Sequence, residues 1–187
     1  MSEEVTLEKL DSLKVLVAVT GGIGAYKICS LVSRLVQSGA EVQVAMTEMG
    51  TRFVGSLTFE ALTGKRVILD TDGEGGDAME HIQAARWAEV MLVAPCTANT
   101  MAKIAHGIGD DVVSTLSLAF KGKQILAPAM NPEMWQKPST LRNRDQLIAD
   151  GFVVIDPAEG LMACGDTGVG RLPEEEVLLK ALSDTRS

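Results

Sequence analysis

The octapeptide TGGIGAYK, Thr20 to Lys27, has the composition of an anion-binding turn. Glycines that follow a strand and open a helix leave backbone N–H groups uncovered, and such groups bind phosphate and other anions. The segment departs from the GxGxxG pattern of dinucleotide sites and lacks the Lys-Ser/Thr ending of a P-loop. It predicts a phosphate site only in combination with other residues, because a plain strand-to-helix connection explains the same glycines.

Three side chains elsewhere are candidates for acid–base or anion-binding chemistry: His81, Asn131 and Cys164. An imidazole exchanges protons near neutral pH, an amide both donates and accepts hydrogen bonds, and the reactivity of a thiol depends on its environment. Each also has a structural interpretation. His81 can be a solvated residue in a first helical turn, Asn131 before Pro132 a helix cap or turn, and Cys164 an inert buried thiol.

Short apolar runs alternate with helical patterns along most of the chain. Lys14–Thr20 and Glu41–Thr47 flank an amphipathic stretch that stops at Gly39, which predicts a βαβ unit with a right-handed crossover. Four more apolar runs predict further strands: Val67–Leu69, Val90–Pro95, Lys123–Met130 and Phe152–Ile155. The predicted fold class is α/β, a three-layer αβα, Rossmann-like (flavodoxin-like) domain with five or six mostly parallel strands.

Polar residues follow the predicted strands at their carboxyl ends. Thr47 follows the second strand, and PCTANT, Pro95 to Thr100, follows the strand that begins at Val90. In doubly wound sheets these ends lie at the same edge as the first strand-to-helix turn, where ligands bind. The combination favours a nucleotide or flavin phosphate at the glycine turn.

The length of 187 residues suits one well-buried domain and is too short for two of ordinary size. We expect a single domain over residues 1–187, with an αβα core at 13–156 and a C-terminal helix at 173–187. Between them, residues 157–172 contain four glycines in a polar stretch, which predicts a long structured loop. A loop of this kind can act as a clamp over a bound substrate, as lids do.

The composition excludes several function classes. A net charge of −8 without a long basic run argues against a nucleic-acid-binding surface. Three cysteines without CxxC spacing argue against a disulfide framework and a zinc site, so no metal is expected. No apolar stretch reaches the roughly 20 residues that span a bilayer, and the acidic start is unlike a signal peptide. We expect a soluble, cytoplasmic protein with no membrane association.

Three motifs together resemble the flavin-containing cysteine decarboxylases: PCTANT, APAMNPEMW at Ala127–Trp135, and GLMACGDTGVGR at Gly160–Arg171. The similarity runs from about Lys14 to Arg171 and is strongest to the members that act on phosphopantothenoylcysteine. It implies FMN as the cofactor and a carboxy-lyase reaction that converts 4'-phospho-N-pantothenoylcysteine to 4'-phosphopantetheine in coenzyme A biosynthesis. The sequence departs from the family at Cys96, where Ala or Ser is more common.

The resemblance also implies roles for individual residues. His81 would be the base, Asn131 would hold the substrate carboxylate, and Cys164 would be the acid. The residues implied to bind FMN are Gly21, Gly22, Ile23, Thr47, Cys96, Thr97, Ala98, Asn99 and Ala129. Those implied to bind the substrate are Met130, Asn131, Met134, Ala163, Cys164 and Gly165.

A flavin suits this reaction because the substrate amine is acylated and cannot form the imine through which pyridoxal phosphate acts. Removal of a hydride from the cysteine Cβ would give a thioaldehyde, which can accept the electrons released with carbon dioxide. The resulting enethiol would regain the hydride from reduced flavin, while Cys164 protonates the adjacent carbon. The net reaction consumes no oxidant.

Three alternatives share parts of this pattern: a peptidyl-cysteine decarboxylase, a non-catalytic flavin-binding regulatory subunit, and a flavin prenyltransferase of the same fold. The MW after PxMNxx, the ACG segment, and the presence of His81, Asn131 and Cys164 favour the phosphopantothenoylcysteine-specific members. Family members assemble as trimers or as dodecamers built of trimers, so we expect a homotrimer or homododecamer. Many relatives continue into a phosphopantothenate–cysteine ligase domain, whereas this sequence ends at Ser187. We therefore expect that ligase to be a separate partner.

Overall fold

The computed structural model describes residues 9–69, 80–161, 165 and 167–186. Its main sheet has six parallel strands: β1 (Lys14–Val19), β2 (Glu41–Met46), β3 (Ile68–Leu69), β4 (Val90–Cys96), β5 (Lys123–Pro128) and β6 (Val153–Val154). Their order is β3-β2-β1-β4-β5-β6, so the direction of the connections reverses between β1 and β4. The predicted α/β class is confirmed, and each predicted strand is present with its ends shifted by no more than two residues.

Helices cover both faces of this sheet. They are α1 (Ala25–Gln37), α2 (Glu48–Thr51), α3 (Ser56–Thr63), α4 (Glu80–Trp87), α5 (Ala98–Ala105), α6 (Val112–Ala119), α7 (Pro132–Trp135), α8 (Pro138–Ala149) and α9 (Glu175–Ser183), followed by a 3-10 turn at Asp184–Arg186. Helices α1, α3 and α9 contribute to the core on one face, and α4, α5, α6 and α8 to the core on the other. In the described part of the chain, no helix is long and apolar enough to cross a membrane.

Strand β1 shows why the sequence predicts a central parallel strand. Val15, Val17 and Val19 pack in the core cluster on one face, and Leu16 and Ala18 pack in the cluster on the other, all without exposed surface. A parallel strand covered by helices on both faces must be apolar at every position, which produces a continuous run rather than alternation. The uninterrupted VLVAV is therefore the sequence signature of its position in the sheet.

A buried hydroxyl joins the carboxyl ends of β1 and β4. Thr20 Oγ1 donates a hydrogen bond to Pro95 O at 2.6 Å and accepts one from Thr97 N at 3.2 Å. These are the neighbouring strands between which the connections reverse, the position where doubly wound sheets form a ligand crevice. Thr20 thus fixes the glycine turn after β1 relative to the polar segment after β4.

The segment predicted as a structured loop contains a β-hairpin. Strand β7 (Ala158–Leu161) pairs antiparallel with β8 (Thr167–Arg171) in a separate two-stranded sheet. The sequence did not predict these two strands, because glycine is depleted in strands and typical of turns. The Met130 N–H donates to Gly170 O at 2.9 Å, which ties the hairpin to the carboxyl edge of the main sheet. The role of residues 157–172 as a substrate clamp stays a prediction, as do the boundaries at 13–156 and 173–187.

Replacing Thr20 by valine is expected to lower the free energy of unfolding by about 1–3 kcal/mol, because the Thr97 N–H loses a buried acceptor while the side-chain volume is kept. Urea denaturation of Thr20→Val and wild type, compared at equal m-values, measures the difference. Thr58→Val, at an exposed position of α3, is the matched control and should change stability by less than about 0.5 kcal/mol. Equal stability of the two variants would show that the Thr20 hydroxyl does not hold the strand ends together.

Candidate cofactor and substrate site

A cavity of about 730 Å³ lies at the carboxyl edge of the main sheet. The glycine turn after β1, the start of α5, the segment after β5 and the hairpin strand β8 contribute to its walls. The described residues that line it are Gly21, Gly22, Ile23, Gly24, Tyr26, Lys27, Phe53, Thr97, Ala98, Ala129, Met130, Asn131, Met134, Leu161, Gly170, Arg171 and Leu172. Its volume falls within the about 300–1,000 Å³ typical of small-molecule sites.

The glycine turn is shaped partly by the packing of α2 against it. A Cβ atom added at Gly21 would lie 2.6 Å from Met49 Cβ, and one added at Gly50 would lie 2.7 Å from Val19 O. At Gly22 the nearest atom to an added Cβ would be Pro95 Cγ at 3.8 Å, an ordinary contact. Packing therefore explains Gly21, whereas Gly22 leaves main chain uncovered beside the cavity.

Two helices that contribute residues to the cavity lining, α5 and α7, have side-chain caps at their amino-terminal ends. At the start of α5, Thr97 Oγ1 accepts a hydrogen bond from Thr100 N at 3.2 Å, and at the start of α7, Asn131 Oδ1 accepts one from Glu133 N at 2.9 Å. The helix-cap interpretation of Asn131 is confirmed. It is compatible with a ligand role, because the cap uses the amide oxygen while an anion is bound by the amide N–H groups.

The structure brings most of the predicted cofactor and substrate residues to this cavity. Those that line it are Gly21, Gly22, Ile23, Thr97, Ala98, Ala129, Met130, Asn131 and Met134. Gly165 is exposed between β7 and β8 with a φ of +91° and is outside the described lining. Ala163 and Cys164 lie outside the described residues.

Four other predicted residues are not among the described residues that line the cavity. Thr47 is buried and accepts a hydrogen bond from Gly50 N at 3.1 Å as the cap of α2, whereas Asn99 is exposed on α5. Cys96 is fully buried in the core. His81 is half-buried in the first turn of α4 and is not among the described residues that line the cavity.

Two charged residues of the described cavity lining were not predicted from the sequence. Lys27 lies in the first turn of α1, and Arg171 is the last residue of β8. Lys27 ends the glycine-rich motif TGGIGAYK, and Arg171 ends the glycine-rich motif GLMACGDTGVGR. Their position at the end of such a motif was the sequence signal that could have identified them. The larger apolar and aromatic lining residues that were missed are Tyr26, Phe53, Leu161 and Leu172.

A family model described as Flavoprotein matches residues 3–187. The chain belongs to this flavoprotein family. The coenzyme A biosynthesis bifunctional protein CoaBC of Bacillus subtilis (strain 168) is 47% identical over 172 residues, which cover 91% of this chain and 42% of that protein. The chain thus spans less than half the length of this curated relative.

Solved structures of similar flavoproteins agree with the fold. The FMN-dependent cysteine decarboxylase SpaF superposes with a TM-score of 0.81 at 34% identity, covering 95% of this chain and 99% of that chain. A PPC decarboxylase mutant complexed with pantothenoylaminoethenethiol also gives 0.81, at 31% identity, covering 91% of this chain and 96% of that chain. The resemblance to flavin-containing cysteine decarboxylases is confirmed.

The cavity of this flavoprotein has the donors and surfaces that a flavin cofactor needs. Phe53 and Met130 offer apolar surface to a ring system, and Thr97 and the glycine turn offer hydroxyl and main-chain groups. Among the described lining residues, Lys27 and Arg171 carry charge, and both are positive although the chain has a net charge of −8. This donor set suits a flavin that carries an anionic group.

Cys96 of this flavoprotein is a core residue. Its side chain has no exposed surface and packs in the cluster between the sheet and α5, with Sγ 3.8 Å from Thr97 O. Burial raises the pKa of the Cys96 thiol to about 12, so the thiol stays neutral near pH 7. The side chain of Cys96 therefore lies in the core, and the implied FMN contact of this residue stays a prediction.

Cys96→Ala is expected to change flavin affinity by less than about twofold while lowering the free energy of unfolding by about 1 kcal/mol, because it removes a fully buried sulfur from a packed core. Fluorescence titration of flavin-stripped protein and urea denaturation measure the two effects. Cys29→Ala, at a half-buried thiol in α1, is the matched control. A tenfold loss of flavin affinity in Cys96→Ala at unchanged stability would instead make Cys96 a cofactor contact.

Proposed function

We propose that this flavoprotein catalyses the FMN-dependent decarboxylation of 4'-phospho-N-pantothenoylcysteine to 4'-phosphopantetheine in coenzyme A biosynthesis. The observation that carries the proposal is the meeting of three motifs in one cavity: the glycine turn, Thr97–Ala98 of PCTANT, and Ala129–Asn131 of APAMNPEMW. The relative named for coenzyme A biosynthesis and the structural likeness to a PPC decarboxylase support the same substrate. The enzyme is then a carboxy-lyase.

The cavity residues divide into those that hold FMN and those that hold the substrate. FMN held in this cavity would supply reversible hydride transfer within one turnover. Gly22, Thr97 and Ala129 line the part of the cavity formed by the strand ends and would position this cofactor. Met130 and Met134, from the segment after β5, would cover the substrate and exclude water.

Asn131 would bind the substrate carboxylate through its amide N–H groups. The hydrogen bond from Glu133 N to Asn131 Oδ1 fixes the orientation of the amide plane before the substrate arrives. A neutral donor holds the carboxylate without the ion-pair stabilisation that would oppose the loss of its charge as carbon dioxide. The residue type therefore suits a decarboxylase better than a cation at the same position.

We further propose that His81 acts as the base in a cavity completed by a neighbouring subunit of a homotrimer, or of a dodecamer built from trimers. Within one chain His81 is not among the described residues of the cavity lining. Large apolar side chains at the cavity are exposed, since Ile23 and Tyr26 are each 59% exposed and Met134 is 47% exposed. Such a rim supports a subunit contact beside the cavity. Cys164 remains the predicted acid.

The chemistry of the proposed substrate implies a metabolic partner. Its amide joins cysteine to phosphopantothenate, so a phosphopantothenate–cysteine ligase must form it. We propose that ligase as the partner and the cytoplasm as the location of both reactions.

FMN-loaded protein is expected to release carbon dioxide from phosphopantothenoylcysteine, with the matching mass loss in the product seen by mass spectrometry. Protein stripped of flavin should show no turnover and should regain it with added FMN, since the acylated substrate has no other electron acceptor. A peptide that ends in cysteine, offered to the same preparation, tests peptidyl-cysteine decarboxylation. Faster decarboxylation of the peptide would overturn the proposed substrate, and turnover without flavin would overturn the mechanism.

Asn131→Asp is expected to lower kcat/KM for this substrate by about 100-fold while leaving stability nearly unchanged. Aspartate keeps an acceptor oxygen for the Glu133 N–H, so the helix cap survives, but it replaces the amide donor with an anion that repels the carboxylate. Steady-state kinetics and urea midpoints measure both quantities. Asn131→Ala is the comparison variant and should also lose about 1 kcal/mol of stability with the cap. Undiminished kcat/KM in Asn131→Asp would remove Asn131 from carboxylate binding.

A further inference from the structure

Arg171 and Lys27 share one carboxylate beside the cavity that both line. Arg171 Nη2 lies 3.1 Å from Glu174 Oε1, and Lys27 Nζ lies 3.8 Å from Glu174 Oε2. Glu174 itself is not among the described lining residues, where both charged side chains are cations. Two positive charges and one negative charge leave this cluster with an excess positive charge in a chain of net charge −8.

The main chain of the hairpin shapes the position of Arg171. A Cβ atom added at Gly160, on the neighbouring strand β7, would lie 2.5 Å from Arg171 Nη1 and 3.0 Å from its Cδ. Gly160 has a φ of +152°, which also favours glycine. The next residue back along β8, Gly170, accepts the hydrogen bond from Met130 N. The hairpin therefore leaves room for the guanidinium and ties the end of β8 to the segment that carries Asn131.

We propose that Arg171 is a specificity-determining residue that binds a phosphate monoester in this cavity, with Lys27 as a second cation and Glu174 as the counter-ion that the phosphate displaces. The inference rests on the proposed function, in which both the substrate and the cofactor carry a phosphate monoester. A guanidinium presents five N–H donors in a planar fork that matches phosphate oxygens, and the Glu174 contact at Nη2 engages only part of that fork.

The energetics of the resting cluster favour displacement of Glu174. The side chain of Glu174 is 57% exposed, and a solvent-exposed ion pair contributes little to stability. A phosphate monoester carries about −1.5 to −2 charges near neutral pH, against −1 for the carboxylate. An incoming phosphate thus gains more from Arg171 and Lys27 than Glu174 loses. The carboxylate keeps the two cations paired until the ligand arrives.

Two ligand pairs test the inference, because each pair differs only by the phosphate. Phosphopantothenoylcysteine and pantothenoylcysteine are compared by kcat/KM with flavin-loaded protein, and FMN and riboflavin are compared by affinity for stripped protein. Arg171→Gln should lower the preference for the phosphorylated member of one pair by about 10- to 100-fold, as expected for a lost charge-assisted hydrogen bond. The affected pair identifies the substrate phosphate or the FMN phosphate as the ligand.

Glu174→Gln is expected to change the preference for the phosphorylated ligand in the opposite direction to Arg171→Gln. Removing the competing carboxylate should raise the same preference by about two- to fivefold, which a residue that merely supports the fold would not do. Glu174 makes no side-chain cap bond at the start of α9, so this variant leaves the helix cap intact. Arg144→Gln removes a half-buried guanidinium that pairs with Asp156 outside the described cavity lining and is the matched control.

Several outcomes would overturn the inference. They are an unchanged preference in both pairs with Arg171→Gln, equal losses on the phosphorylated and unphosphorylated members, or a lowered preference with Glu174→Gln. Inactivity of the wild type on both pantothenoyl compounds would refute the proposed function instead, and the comparison of FMN with riboflavin would still decide the role of Arg171. Arg171→Lys, which keeps the charge without the planar fork, should show an intermediate preference and separates recognition from misfolding.

Discussion

The hydrogen bonds of the Thr20 hydroxyl hold the two strand ends between which the cavity forms. At the point where strand connections reverse, the chain leaves β1 and β4 in different directions, and polar main-chain groups at their ends face a crevice. Thr20, directly after β1, donates to Pro95 O and accepts from Thr97 N, so its hydroxyl satisfies two main-chain groups at the end of β4 and links that end to β1. Buried main-chain groups left unpaired would be costly, and a single small side chain removes that cost while fixing the spacing of the walls.

Much of the site was predictable because one rule of sheet architecture brings separate motifs together. The carboxyl ends of parallel strands share one edge, so a sequence that identifies β1, β4 and β5 also predicts that the residues after them converge. The strands themselves were recognisable because burial on both faces requires unbroken apolar runs such as VLVAV. The glycine turn, Thr97 and Asn131 meet in the cavity for this reason, although no local pattern connects them.

Features that depend on irregular geometry or on distant packing were not predictable. The register of β4 against β5 shifts between Val93 and Cys96, and Cys96 ends in the core rather than at the cavity. The strands of the hairpin at Ala158–Arg171 were not predicted because the segment is rich in glycine, including Gly160, which leaves space for the Arg171 side chain. The shared contact of Lys27 and Arg171 with Glu174 arises only when β8 and the start of α9 lie beside α1.

Asn131 is neutral and Arg171 is a cation, and both line the same cavity. If the substrate phosphate is the ligand of Arg171, this difference suits the two anionic ends of the proposed substrate. The carboxylate loses its charge during the reaction, so a cation beside it would stabilise the bound substrate more than the transition state and slow the chemical step. A phosphate keeps its charge from substrate to product, so a cation binds every species along the reaction equally and contributes to affinity without raising the barrier. The same uniform binding would also retain the product. Glu174 would counter this retention of the product, because an exposed carboxylate beside both cations can re-form its ion pairs as the phosphate departs.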